Sequence, residues 1–307
     1  MATAYLGTGL ERVADVRLAT DIPAQHLGAT VNAIRTSGYS AHGRGPGLYV
    51  NDAQANAGLA AAHPRICKQS ADGRYWRLSV EDGLNVLQLG AAADNTADDG
   101  PIAVAALAYL EHVANTQAAI GYGRGAPRLV FPAGNYFLGT STLDIRYSAI
   151  IEGDNGGGPS GGGSTLRWAD NTTGIRTQSY NTEGASADAG VNHLGSAGTI
   201  IRNLYLRGGY AGTESESHGV QLRCPARLEH LIIDNFGGDG VLGKAGVGSN
   251  PYRGQTNGSA FFNVAVIQCR NGFFFDLSDS NNVNFYSCTL NSNRRYGAWH
   301  NTGLNVN

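Results

Sequence analysis

Lysine is almost missing from this chain. Only Lys68 and Lys244 among its 307 residues carry it, and charged residues of every kind amount to 15%, against roughly 25% in an average globular protein. With 22 basic and 24 acidic residues the formal net charge is -2. No cationic surplus exists to clamp a nucleic-acid backbone, which excludes that class of partner. Neither lysine follows a glycine-rich loop in P-loop order, which removes the common nucleotide hydrolases. Cysteine is also scarce: Cys67, Cys224, Cys269 and Cys288 form no Cys-x-x-Cys pair and read as packed, reduced thiols. No stretch is apolar for long enough to span a bilayer, so no membrane insertion is expected. The opening MATAYLGTGL lacks the basic and apolar regions of a secretory signal, so the chain is expected to stay where it is made unless lysis, an unusual exporter or a missing leader releases it.

What the chain does have is glycine and asparagine, 44 and 25 residues, alongside 42% hydrophobic content. That combination supports a packed core joined by many tight backbone positions. The texture changes near Gly83. Residues 1–83 read as a small mixed module, with a turn-rich cluster at Gly43–Gly47 and a strand at Tyr75–Val80. From Leu84 onward the pattern predicts a short strand at Asn85–Leu89 and a helix over about Pro101–Ala119, with Asp98, Asp99 and Gly100 available to cap it. A strand over Arg128–Leu138 and another over Ser148–Ile151 follow, and the glycine run at 153–165 reads as a loop.

After Gly198 the chain repeats itself. TIIRNLYLRG (199–208), ARLEHLIIDNFGGDGVLG (226–243), SAFFNVAVIQCRNGFFFD (259–276) and NVNFYSCTLNSNRRYGAW (282–299) share one pattern. A polar residue (Asn203, His230, Asn263, Asn284) enters a short alternating strand, and in the last three segments Gly240, Gly272 or Gly297 leads into another. The polar residues are spaced by 27, 33 and 21, which fits a coil of about 20–25 residues with insertions. Strands in single file without crossover helices bury their inner faces by stacking coil on coil, as a parallel β-helix does, and the corners favour Gly and Asn because these tolerate positive φ. An antiparallel β-sandwich is the alternative, disfavoured because hairpin dipeptides are sparse. Cys269 and Cys288, 19 residues apart, are expected to be buried and stacked on successive coils without a disulfide.

Leu87-Gln-Leu-Gly-Ala91, then Asp94, Asp98 and Asp99 before an Ala-rich helix, then Val130-Phe-Pro-Ala-Gly-Asn-Tyr-Phe-Leu138, resembles the entry of the pectate-lyase-like right-handed parallel β-helix superfamily. Its members include phage tailspikes and polysaccharide-degrading enzymes. Gly100-Pro101 stands where a Thr commonly follows the Asp pair. Ser37–Tyr49 is similar to a glycine-rich stretch that precedes the β-helix in tailspike-like proteins. The resemblance covers residues 84–307 and implies an all-β, right-handed parallel β-helix with a capping α-helix, behind a small N-terminal module at 1–83 that attaches to a particle. It also implies a homotrimer, other virion tail proteins as partners and a place in the virion tail. The closing HNTGLNVN offers no cap, so the β-helix is expected to continue beyond 307 or to be covered by another chain.

Coils stack at about 4.8 Å, so carboxylates one or two coils apart approach the separations of retaining and inverting glycosidases. Asp234 and Asp239 flank the turn DNFGGDG and His218 precedes the strand Gly219–Leu222, which makes the three candidate acid/base groups on an exposed face. Asp239-Gly240 also reads as a turn before a strand, the reading favoured because Asp side chains bond nearby backbone groups, and both stay open. Elimination on an acidic sugar would instead need a basic side chain such as Arg223, Lys244, Arg253 or Arg270. Ca²⁺ would enter only in that case, and no carboxylate cluster has Ca²⁺-loop spacing; otherwise no metal or cofactor is expected. Tyr210 and Tyr252, in glycine-rich insertions, and Arg223 are the candidate substrate-binding residues; Trp168, Tyr180, Tyr205 and Trp299 read as stacking or core aromatics. Pectinase signatures are absent, Ser217-His218-Gly219 being only partial. The reading is a tailspike- or tail-fibre-like protein that binds a bacterial surface polysaccharide, with or without cleaving it as a glycoside hydrolase or lyase. Two alternatives remain: a secreted bacterial polysaccharide lyase or hydrolase lacking its leader, and a non-catalytic attachment fragment.

Overall fold

The computed structural model describes residues 5–6, 12–80, 83–119, 126–155, 162–178, 198–244, 256, 258–276 and 283–300. The chain forms two compact units, Met1–Ala91 and Ala92–Asn307, so the structural division follows Ala91 rather than the change of texture at Gly83.

In the first unit six strands form one sheet in the order Tyr5–Leu6, Arg12–Val16, Val31–Thr36, Gly47–Val50, Tyr75–Leu78, Cys67–Gln69. Arg12–Val16 and Val31–Thr36 run parallel and the other neighbours antiparallel. Fully buried Trp76 donates through Nε1 to Ser70 Oγ at 2.8 Å. The strand expected at Asn85–Leu89 is a strand only at Leu84–Asn85, and Val86–Leu89 is a 3₁₀ turn. Asn85 and Gln88 form a reciprocal cap around that turn, and Gly90, at φ 96°, closes it. Local side-chain bonds to the backbone thus outweigh the apolar run that suggested a strand. Arg65 Nη1 donates to Leu89 O at 2.7 Å, which holds this segment on the first unit.

The second unit is the β-helix, with six coils among the described residues, each contributing to three faces. The first face stacks Arg128–Phe131, Ile150–Gly153, 199–202, 226–229, 260–262 and Asn284–Tyr286 in parallel. On the second face lie Gly134–Phe137, Ser164–Arg167, 204–207, 231–234, 264–267 and Thr289–Asn291. The third face consists of Leu143–Ile145, Ile175–Thr177, Val220–Leu222, Val241–Lys244, Asn271–Asp276 and Tyr296–His300. Inward rows such as Leu129, Ile151, Ile201, Leu228 and Phe261 are at most 1% exposed, each such side chain contributing about 1.5–3 kcal/mol by leaving water.

The first and second faces meet at a corner one residue wide. Asn203, His230, Asn263 and Ser287 occupy it in successive coils, at φ 58°, 51°, 52° and 53°. Asn and His are the non-glycine types that reach this left-handed region most readily. The fourth corner residue is therefore Ser287 and not Asn284, which opens the strand Asn284–Tyr286. Pro132-Ala133 makes the same corner two coils before Asn203, splitting the strand expected over Arg128–Leu138 into Arg128–Phe131 and Gly134–Phe137. The glycine run lies between Ile150–Gly153 and Ser164–Arg167, an insertion at that corner; residues 156–161 fall outside the described set. The helix Gly100–Ala119 packs on the first coil. Asp98 Oδ1 accepts from its first N–H at 2.9 Å, whereas buried Asp99 turns its carboxylate back to the N–H groups of Ala92 and Ala93 at 2.7 and 2.9 Å.

A column of glycines, Gly174, Gly219, Gly240, Gly272 and Gly297, stands at the entry of the third face, the last two as second residues of their strands. A Cβ on Gly174 or Gly219 would lie 2.6 Å from the carbonyl oxygen of the next glycine in the column, and one on Gly272 only 2.2 Å from Gly297 O. At Gly240 the Cβ would meet Val266 Cγ1 at 2.0 Å, while at Gly297 its nearest contact is 3.6 Å away. Gly240→Ala is therefore expected to destabilise the protein by about 1–3 kcal/mol, seen as a lower urea midpoint, while Gly297→Ala leaves the midpoint in place. Equal midpoints for the two variants would contradict this packing.

Cys269 and Cys288 do not stack. Cys288 aligns with Val264 on the second face, whereas Cys269 lies in the turn toward the third. The insertions that make the coils unequal in length separate them. All four cysteines are free, Cys269 buried and Cys288 half-buried. Burial pushes the Cys269 thiol up to about 12, so a thiol reagent at neutral pH is expected to label Cys288 well before Cys269; equal rates would contradict the placement.

Candidate functional site

The second and third faces are joined by turns that open on Asn235, Gln268 and Ser292, at φ 58°, 56° and 53°. In the third, fourth and fifth coils the residue just before the column glycine is His218, Asp239 and Asn271, which puts these three in register on successive coils. The Asp239 side chain is 0% exposed. Arg270 grips it with a fork, Nε to Oδ1 at 3.1 Å and Nη2 to Oδ2 at 2.9 Å. Asn271 Nδ2 donates to Oδ1 at 2.6 Å, and His218 Nδ1 lies 3.2 Å from Oδ2. Burial alone would raise this carboxyl, but the bonds and charges of His218 and Arg270 outweigh it and hold Asp239 at about 2. The same contacts, Asp239 first, raise Arg270 above its ordinary value.

The loop 210–218 closes over this cluster. Glu216, largely exposed, accepts from Arg270 Nη1 at 2.7 Å, and that bond lowers its carboxyl. Glu214 pairs with Arg294 and Arg295 from a later coil. The Arg294 guanidinium lies 3.8 Å from the centroid of the Tyr210 ring, leaving that ring half-buried.

The sequence placed Asp239 and His218 on an exposed face; the structure buries both, because the turn that carries Asp239 lies beneath the loop 210–218. Asp234, at the other end of the same turn, is not part of the cluster. It points outward from the second face, where Tyr205 Oη donates to its Oδ2 at 2.6 Å while Oδ1, shielded from solvent, has no hydrogen-bond partner. Arg223 lies apart again, after the third-face strand Val220–Leu222, its Nη1 3.4 Å from Gln178 Oε1. Tyr252, with Tyr180 and Arg253, falls outside the described residues. Trp168 and Tyr205 are buried, and Trp299 is half-exposed beside Tyr296, ring centroids 4.6 Å apart. Among the described residues no three His, Cys, Asp or Glu side chains gather as a metal site.

A second place was visible in the sequence only as a repeat. The exposed side of the corner column opens into a cavity of about 520 Å³ lined by Asn155, Asn203, His230, Asn263, Leu231, Ile232 and Ala265. Asn263 Nδ2 and His230 Nδ1 are 3.0 Å apart, joined by a hydrogen bond. Ile232 and Ala265 are in register with Tyr205, so the Tyr205–Asp234 pair adjoins the cavity on the same outer surface. Burial, then the bond to Asp234, raises the Tyr205 hydroxyl above its ordinary value, leaving it a neutral donor. The cavity thus offers amides and an imidazole over an apolar floor, with a carboxylate beside it.

The turn cluster makes a prediction of its own. Because Asp239 is held below its ordinary 3.8, its ionised form stabilises the fold fully above about pH 5, and that contribution fades as pH falls through about 4 towards 2. Asp239→Asn is expected to cost about 2 kcal/mol at pH 7, with the difference from the parent narrowing at pH 3. Urea midpoints at the two pH values measure this, and a difference that does not shrink in acid would contradict it.

No family model matches the chain, and no curated protein matches it. Solved structures do. A tailspike protein, gp49 of the Acinetobacter baumannii bacteriophage Fri1, described as a capsular polysaccharide depolymerase, matches at TM-score 0.56 and 15% identity, over 91% of this chain and 53% of that one. Pantoea stewartii WceF, a glycan biofilm modifying enzyme with a tailspike-like β-helix, matches at TM-score 0.51 and 14% identity, over 96% of this chain and 50% of its own. The chain therefore spans about half the length of the structures it matches. Likeness at such identities speaks for architecture, and together with the three stacked faces and the helix on the first coil it shows that this chain has the pectate-lyase-like right-handed parallel β-helix fold.

Proposed function

We propose that the cavity along Asn203, His230 and Asn263 binds a bacterial surface polysaccharide, and that the protein is a tailspike- or tail-fibre-like depolymerase of the virion tail. The observation that carries this is the column itself. It repeats hydrogen-bonding side chains at the coil spacing of about 4.8 Å, along the axis a linear sugar chain would follow, over Ile232 and Ala265. Amides and imidazole suit hydroxyl groups, and the apolar floor suits the faces of sugar rings. The capsular polysaccharide depolymerase among the matched structures supports the substrate class. Asp234, which accepts from the Tyr205 hydroxyl beside the cavity, is the acid/base group of this reading. Asp239, His218 and Arg270 hold the loop 210–218 in place. In the same reading the chain assembles as a homotrimer and the first unit joins other tail proteins.

A second reading, attachment without cleavage, is favoured by one observation. Among the described residues, Asp234 is the only carboxylate that points outward from the paired strands of the second face between residues 204 and 291, whereas glycoside hydrolysis ordinarily uses a pair. Incubation with purified capsular polysaccharides separates the cases. Elimination gives new reducing ends with absorbance near 232 nm, hydrolysis gives reducing ends alone, and attachment gives binding with neither. His230→Ala combined with Asn263→Ala is expected to weaken binding roughly tenfold. Binding unaffected by the double variant would move the site elsewhere, and failure to bind any polysaccharide would overturn the proposal.

A further inference from the structure

The second face carries two guanidinium groups that the cavity does not use. Arg167 and Arg207 are register partners on adjacent coils and both point outward. Among the described residues neither guanidinium has an ion pair or hydrogen bond; Arg167 is 4.8 Å from the centroid of the Phe137 ring, and Arg207 is exposed. Directly opposed like charges are unfavourable at strand spacing, and a neighbour able to relieve them is at hand. Asp234 is the register partner of Arg207 on the following coil. Tyr205 holds Asp234 instead, and no Arg207–Asp234 ion pair forms. The effect is a rung with two outward positive charges beside a carboxylate already held by a hydroxyl.

Such a rung suits an anion of a particular shape. A guanidinium presents parallel N–H donors that match a carboxylate bidentately, and the Phe137 ring under Arg167 limits that side chain's freedom before any ligand arrives. Arg207 follows Asn203 by four residues on one strand, about 13 Å along the same outer surface. A side branch of two or three sugars on a chain seated along the corner column reaches that far.

We propose that Arg167 and Arg207 bind a carboxylate borne by the polysaccharide, so that the substrate is an acidic polysaccharide. This inference rests on the polysaccharide reading above. The test uses immobilised capsular polysaccharides, acidic and neutral, and for each acidic polymer a derivative whose carboxyl groups have been reduced to alcohols. The polymers bound are expected to be acidic, with affinity falling at least tenfold on carboxyl reduction. Arg207→Gln should produce the same fall on the native polymer and no further fall on the reduced one. Arg167→Gln should act in the same direction, and Arg207→Lys, which keeps the charge and loses the fork, should lie between. An unchanged thermal midpoint in each variant keeps misfolding out of the comparison. Binding of a neutral polymer, or of native and reduced polymers equally, or full affinity in Arg207→Gln, overturns this inference and leaves polysaccharide binding standing. Failure to bind any polymer overturns both.

Discussion

Everything in the β-helix depends on how closely successive coils approach along the glycine column. From Gly174 to Gly272, each α-carbon lies so near the following glycine's carbonyl or a neighbouring side chain that no Cβ fits. That approach sets the third face, and the third face sets the phase at which each coil re-enters the first. The single-residue corners at Asn203, His230, Asn263 and Ser287 then have to turn by the same amount in each coil, which a shared left-handed backbone conformation achieves. The inward rows stay in line because these two columns stay in line, and the apolar core is continuous for that reason.

With the backbone fixed, charge divides into two kinds. Asp239 and Arg270 face each other under a loop, saturated by mutual bonds and by Asn271 and His218. Such groups hold geometry and have no capacity left for a ligand. On the second face the reverse holds, since among the described residues neither Arg167 nor Arg207 finds an ion pair or a hydrogen bond for its guanidinium. Unspent hydrogen-bonding capacity marks the surface where chemistry with another molecule belongs, and it lies on the same side as the corner cavity.

Much of this was legible in the residues, and what was not has a common cause. Gly240, Gly272 and Gly297 stood out as a repeat, and they are one column in space. Asn203, His230 and Asn263 were recognisable because left-handed corners select Asn and His. Ser287 was not, since serine carries no such signal, and Asn284 three residues earlier drew the eye instead. Val86–Leu89 is an apolar run whose composition suits a strand, and only the Asn85–Gln88 cap reveals the turn. Asp239 could be read as a turn residue, but its partners Arg270 and His218 lie 31 and 21 residues away. Pairings of that range depend on the length of every intervening insertion. The alignment of Arg167 with Arg207 was hidden in the same way, since the sequence between them includes the long tract from Thr177 to Gly198.

The loop 210–218 finds its partners on coils that follow it in the chain: Arg270 for Glu216, then Arg294 and Arg295 for Glu214. A chain winding from its N-terminal side therefore passes this loop before its carboxylates have partners, with only the Glu216–His218 end tied to Thr173 and Gly174 on the coil before. The fastening also reads the winding behind it. A coil laid down out of phase would carry Arg270 away from Asp239 and leave a buried carboxylate without its counter-charge, a penalty of roughly 3–5 kcal/mol. The ion pairs thus act as a register check on the finished stack, latching only when the intervening coils have been counted correctly.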